Sequence, residues 1–188
     1  MVEVRESKTS KKAYRSFAYH KPRGVIPPSP QRGEQDIKDA IKHVPDAKGV
    51  FPIGRLDKDS SGLLILTNDG RITDRLLNPE REHEKEYVVT TTSKLASDFV
   101  EHMSGGVDIG DYITKPCKVE KIDDRTFRIT LQEGKKHQIR RMCVALHNEV
   151  RDLKRTRILN IELGNLAPGG HRAIGGGELE IFLKSLGL

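Results

Sequence analysis

The apolar positions of this 188-residue chain change period several times, and each change predicts an element. Phe17–His20 reads as a strand that runs into the breaker-rich loop KPRGVIPPSPQRG. Ile37, Ile41 and Val44 recur at i, i+4 and i+7, a short helix that stops at Pro45. The apolar run Leu63–Thr67 ends at the turn signal Asn68-Asp69-Gly70 and predicts a buried strand. Asp69 or Thr73 can cap a brief helix through Leu77, which Asn78-Pro79 ends. EYVVTTT at Glu86–Thr92 is a strand, and Leu95, Phe99 and Met103 mark a helix that closes before Gly105-Gly106.

Further on, Cys117–Ile122 and Arg125–Gln132 flank Asp123-Asp124 as a hairpin. His137–His147 is helical, with Ile139, Met142, Cys143 and Leu146 on one face and His137, Arg140, Arg141 and His147 elsewhere on the wheel. Strands near Val150–Leu153 and Arg157–Leu163 follow, then the loop Pro168–Arg172 and a helix carrying Leu179, Phe182, Leu183 and Leu186. Strands and helices mix without regular βαβ alternation. That order predicts an α+β fold, a mostly antiparallel mixed sheet flanked by helices.

Composition narrows the class. Hydrophobic residues make up 35% and charged ones 32%, a polar but globular balance. The length fits one domain plus a short extension, against roughly 150 residues per domain. Residues 1–13 are lysine- and serine-rich without periodicity and are expected to form a flexible basic arm, with the domain at 14–188. No apolar run approaches the roughly 18 residues of a membrane helix, and the N-terminus has no signal-like apolar region. Cys117 and Cys143 have no CxxC partner, which argues against a disulfide framework or a cysteine zinc site and for a reducing cytoplasm.

The net charge of +6 is local. Residues 135–157 hold eight basic side chains, Lys135, Lys136, Arg140, Arg141, Arg151, Lys154, Arg155 and Arg157, against Glu149 and Asp152 alone. The rest of the chain balances. Such a concentration attracts a polyanion, although a solvated charged face would look the same in sequence.

The sharpest local feature is GRLDKDSSGLLILTNDG, Gly54–Gly70. Its loop sets Asp57 between Arg55 and Lys58, a setting that favours an ionised carboxylate, and a buried strand follows as a platform. By itself the pattern fits equally a turn aspartate that bonds backbone amides. His137 and His147 lie nearly three helical turns apart, about 15 Å, too far to share a metal. Cys143, on the apolar face, belongs in the core.

GRLDKDSSGLLILTNDG resembles the signature of the pseudouridine synthases that act on ribosomal RNA. Three further segments resemble that family in the same order: KPRG at Lys21–Gly24, Lys85-Glu86-Tyr87 as its K-x-Y motif, and EGKKHQIRRM at Glu133–Met142. The tail LKRTRILNIELGNLAPGGHRAI is similar to the family's C-terminal stretch. The likeness runs over residues 17–186. It is greatest to the small- and large-subunit type, in the short form that lacks an S4 RNA-binding domain.

The resemblance implies the pseudouridine synthase catalytic fold, with an active-site cleft across the sheet. It also implies an isomerisation in which the uracil N1–C1′ bond breaks, the base rotates and C5 bonds to C1′, with no cofactor and no metal. Asp57 takes the place of the family's catalytic carboxylate, as nucleophile or as base on the sugar. Tyr87 matches the tyrosine that stacks on the flipped base, though a strand tyrosine is more commonly simple packing. Arg140 matches the basic residue that pairs with the catalytic aspartate, though a helical arginine is ordinarily solvated.

RNA contacts are expected from Lys21, Arg55, Lys85, Lys135, Lys136, His137, Arg141, Arg151, Lys154 and Arg155, with Lys21 and Lys85 as phosphate contacts or local supports. The partner expected is structured RNA, ribosomal and most readily large-subunit RNA, met by a monomer. The rival readings are the same chemistry on transfer RNA and a non-catalytic RNA-binding assembly factor.

Overall fold

Alternating side chains of one strand, Leu63 and Ile65 against Leu64 and Leu66, enter two different apolar clusters, so the middle of the sheet is covered on both faces. The computed structural model describes residues 13–25, 37–42 and 49–188. The arm at 1–12, most of the proline-rich loop and the end of the first helix at Val44-Pro45 lie outside the described residues.

The strands are β1 (Ser16–Lys21), β2 (Phe51–Ile53), β3 (Ser61–Thr67), β4 (Lys85–Thr91), β5 (Lys118–Lys121), β6 (Thr126–Leu131), β7 (Val150–Ile158), β8 (Ile161–Glu162) and β9 (His171–Ala173). The helices are α1 (Ile37–Ala40), α2 (Gly70–Leu77), α3 (Phe99–Gly105), α4 (Gln138–Ala145) and α5 (Gly176–Ser185). Seven strands run in the order β5-β6-β4-β7-β3-β1-β9, with β2 added to β3 and β8 to β7. Every pair is antiparallel except β3 with β7, where Ser61 faces Lys154 and Gly62 faces Arg155. The predicted α+β class and mixed sheet are what the chain forms.

Apolar faces decide the packing. Phe99 and Met103 of α3 and Ile139, Met142 and Cys143 of α4 close over Val89, Phe127, Ile129 and Leu153 of the sheet. Ile72 and Leu76 of α2 and Phe182 of α5 cover Leu63 and Ile65, while Ile37 and Ala40 of α1 cover Leu64 and Leu66. Each such side chain contributes about 1.5–3 kcal/mol by leaving water. Asp69 caps α2 by accepting from the Arg71 amide at 3.1 Å, and the Arg71 guanidinium holds its carboxyl below the usual range.

Several boundaries differ from the expectation. β7 is one strand over 150–158 rather than two, β9 falls within the stretch read as a loop, and α3 begins at Phe99 rather than near Leu95. The β7 difference has a clear cause. Arg155, which breaks the apolar pattern, turns inward and meets carbonyl oxygens instead of water. A register shift opposite Glu86 and Tyr87 takes up the irregularity. The other side of β4, β5 and β6 carries a polar groove, along which Glu84, Arg157, Glu86, Arg128 and Glu120 form consecutive ion pairs.

Candidate active site

The segment between β2 and β3 turns on itself at Asp57, whose carbonyl accepts from the Ser60 amide at 3.0 Å. Cations hold most of this turn's carbonyls. Lys21, 1% exposed, donates from Nζ to the carbonyls of Pro22 at 3.1 Å, Asp57 at 3.1 Å and Ser60 at 2.8 Å. Burial pulls its amine down to about 8, against the raising effect of the Asp57 and Asp59 charges. Arg155, 4% exposed, donates from Nε to Leu63 O at 2.8 Å and from Nη1 to Arg55 O at 3.4 Å. The Gly24 amide takes the Lys58 carbonyl at 2.8 Å.

Gly62 has to be glycine. Its φ is +109°, and a Cβ there would sit 2.2 Å from the Arg155 carbonyl oxygen across the parallel pair. The close approach brings β7 against the end of the Asp57 turn.

Helix α4 closes the site from the other side. Arg140 donates from Nη2 to Asp59 O at 3.1 Å and to Ser60 Oγ at 3.4 Å, and from Nη1 to Val150 O at 3.4 Å. Its guanidinium therefore grips the turn's backbone and a buried hydroxyl. Among the described residues, the group that meets the Asp57 carboxylate is His137, with Nε2 3.5 Å from Oδ1. This corrects the expected pairing of Arg140 with Asp57: the Asp59 carbonyl and the Ser60 hydroxyl, two and three residues on, take its guanidinium instead.

The loop before α4 is braced from within. Gln138, which is buried, accepts from the Lys135 amide at 2.9 Å and donates to Glu133 at 2.6 Å. Glu133 also accepts from the Tyr112 hydroxyl at 2.8 Å, and the Lys135 ammonium lies 4.3 Å from the centre of the Tyr112 ring. Arg141 bonds Ile109 O and Asp111.

Tyr87, Arg155 and Gly62 stand in one row across β4, β7 and β3. With strands about 4.8 Å apart, this sets the Tyr87 backbone roughly 10 Å from the end of the Asp57 turn. The Tyr87 side chain is half-buried against the α3–α4 cluster.

The expected RNA contacts divide by burial. Lys21 and Arg155 are interior: Lys21 donates to carbonyls as a local support rather than a phosphate contact, and Arg155 donates to carbonyls from Nε and Nη1, which corrects its assignment to an RNA-facing surface. Lys85 is half-buried with its ammonium on His83 O at 3.1 Å, and burial followed by the Arg155 charge lowers its amine. Arg55, Lys135, Lys136, His137 and Arg151 are exposed, and Lys154 and Arg141 intermediate. Cys143 is fully buried, and burial lifts its thiol to about 12. Sequence pattern does not single out Ser60 or Gln138, since a buried hydroxyl or amide carries no local signature, and Glu133 reads as an ordinary charged residue.

Compared with known proteins, residues 15–145 match the family described as RNA pseudouridylate synthase. The chain is 43% identical over 168 residues to the dual-specificity RNA pseudouridine synthase RluF of Escherichia coli (strain K12), covering 89% of this chain and 57% of that one. It therefore spans little more than half the length of that relative. Ribosomal large subunit pseudouridine synthase B of Bacillus subtilis (strain 168) is 32% identical over 180 residues, covering 92% and 73%. A crystal structure of a pseudouridylate synthase superposes with a TM-score of 0.81 at 30% identity, covering 93% of this chain and 76% of that one.

Proposed function

Since the chain belongs to the RNA pseudouridylate synthase family, we propose that it isomerises uridine to pseudouridine in RNA, with large-subunit ribosomal RNA as the substrate. Asp57 is the catalytic carboxylate of this reading. The observation that carries it is the Asp57 turn, a solvent-reached carboxylate on a backbone gripped by Lys21, Arg140 and Arg155. The three cations fix the backbone and leave the carboxylate 44% exposed, open to a substrate.

The chemistry asks little else of the protein. Breaking N1–C1′ and forming C5–C1′ moves a proton from C5 and delivers one to N1, so electrons are conserved within the nucleotide. A carboxylate held rigidly at the sugar lowers the barrier chiefly through orientation and electrostatic preorganisation. The fixed turn supports both, because the cations bonded to its carbonyls hold the backbone that carries the carboxylate. Tyr87, on the sheet floor, suits the stacking surface for an extruded base. Lys136, Arg151 and Lys154 suit contact with the phosphate backbone.

The large-subunit choice rests on the name of the Bacillus relative, which matches nearly the whole chain. Carbodiimide mapping tests it. Purified protein is incubated with unmodified large-subunit, small-subunit and transfer RNA, and stops are mapped by primer extension. A new stop at one large-subunit uridine is expected. Stops only in transfer RNA would overturn the substrate, and none in any RNA would overturn the activity.

A further inference from the structure

His137 has an unusual backbone for its place in the fold. It is the residue before the first turn of α4, where Ser, Thr, Asp or Asn ordinarily caps the helix from an extended conformation. Here φ is 53° and ψ 28°, the left-handed region, and the side chain makes no capping bond. A non-glycine residue there is strained, and strain that persists is held by its surroundings. The surroundings are the braced loop already described, with Gln138 bonded to Lys135 and Glu133. The consequence is that the imidazole leaves its own helix and reaches the Asp57 carboxylate, Nε2 to Oδ1 at 3.5 Å.

The main chain at both ends of this contact is fixed independently. Lys21 holds the Asp57 carbonyl from below, and Arg140 ties α4 to Asp59 and Ser60. Lys136, Arg140 and Arg141 neighbour His137 on its own element, while Asp57 faces it from the turn. We propose that His137 is a positioning residue for Asp57: its imidazole, in contact with Oδ1, sets the rotamer of the carboxylate and turns the free oxygen to the ribose. The inference rests on the proposed function and moves His137 from the RNA-binding set to the reacting centre. Orientation of this kind is read in the rate of the chemical step rather than in affinity.

Three variants test it. Glycine accepts the left-handed backbone and removes the imidazole, so His137→Gly folds without strain. Its single-turnover rate at saturating enzyme should fall about 10-fold. Its RNA dissociation constant should stay within about twofold, and its melting temperature should not drop. His137→Gln carries an amide nitrogen that reaches the position of Nε2 and should recover most of the rate. Imidazole NMR resonances of His137 in the free protein should shift on Asp57→Asn, which examines the contact with no substrate present. A glycine variant as fast as wild type, a loss confined to affinity, a glutamine variant no faster than glycine, or unmoved resonances would each overturn the proposal. Wild-type protein that makes no pseudouridine while those resonances shift would count against the proposed function and leave the contact standing.

Discussion

The Lys21 ammonium lies 2.8 Å from the Ser60 carbonyl oxygen and 3.1 Å from that of Asp57, so one buried cation closes both ends of the turn. A lysine so placed loses solvation and regains only neutral carbonyls as direct partners. Burial accordingly lowers its amine from 10.5 to about 8.

That shift has a sign in stability. Below about pH 8 the amine is protonated in both folded and unfolded chains and adds no pH dependence. Between about 8 and 10.5 the unfolded chain binds more protons, so this group's contribution to stability rises with pH. Urea unfolding should show the gap between wild type and Lys21→Met moving in favour of wild type across that window, by about 1–3 kcal/mol. A gap that stays flat or moves the other way would mean the ammonium is not desolvated.

Arg140 holds the turn through Asp59 O and Ser60 Oγ. Arg140→Met keeps the aliphatic stem and the helix, so the fold should survive while the turn loosens. Single-turnover rates should fall on the order of 10²-fold, with dissociation constants changed far less. An effect on affinity alone would make Arg140 a phosphate contact.

Electrostatic attraction to RNA should come from the exposed part of the basic segment. Replacing Lys136, Arg151 and Lys154 together with glutamine should flatten the slope of log affinity against log salt by about 2, at roughly 0.7 per single-strand phosphate contact. Melting temperature should not change, because none of the three is buried. An unaltered slope would show that this face does not meet RNA.

What could be read in advance follows from range. β3, β4 and the β5–β6 hairpin are set by local alternation and turn residues, and they stand close to where the pattern puts them. β2 is three residues long with Pro52 at its centre, and β9 is equally short, so neither has enough period to register. The parallel β3–β7 contact joins residues some ninety apart and has no local signature. The same limit governs the site. GRLD and HQIRR mark Asp57 and Arg140, but that Arg140 takes backbone oxygens while His137 takes the carboxylate depends on a left-handed backbone that no histidine advertises. Neither Lys21 nor Arg155 announces its burial, because a buried cation whose partners are carbonyls leaves no acidic residue in the pattern.

Gly62 tests the close approach of β7 to the turn. In Gly62→Ala the new Cβ would collide with the Arg155 carbonyl at 2.2 Å and could not keep the φ of +109° without strain. A loss of about 3 kcal/mol or more in unfolding free energy is expected. A variant within about 0.5 kcal/mol of wild type would mean that β3 and β7 do not approach this closely at Gly62.

If Asp57 performs the chemistry on an RNA uridine, Asp57→Asn removes the reacting group and little else. The substitution is nearly isosteric, and the main-chain bonds to Lys21 and Ser60 do not involve the side chain. Pseudouridine formation should be measured under single-turnover conditions on the RNA that wild type modifies, alongside RNA affinity. The expected result is no detectable conversion with binding and melting temperature close to wild type, since an amide is neither an effective nucleophile nor a base. Conversion by Asp57→Asn at a rate near wild type would show that this carboxylate is not the reacting group.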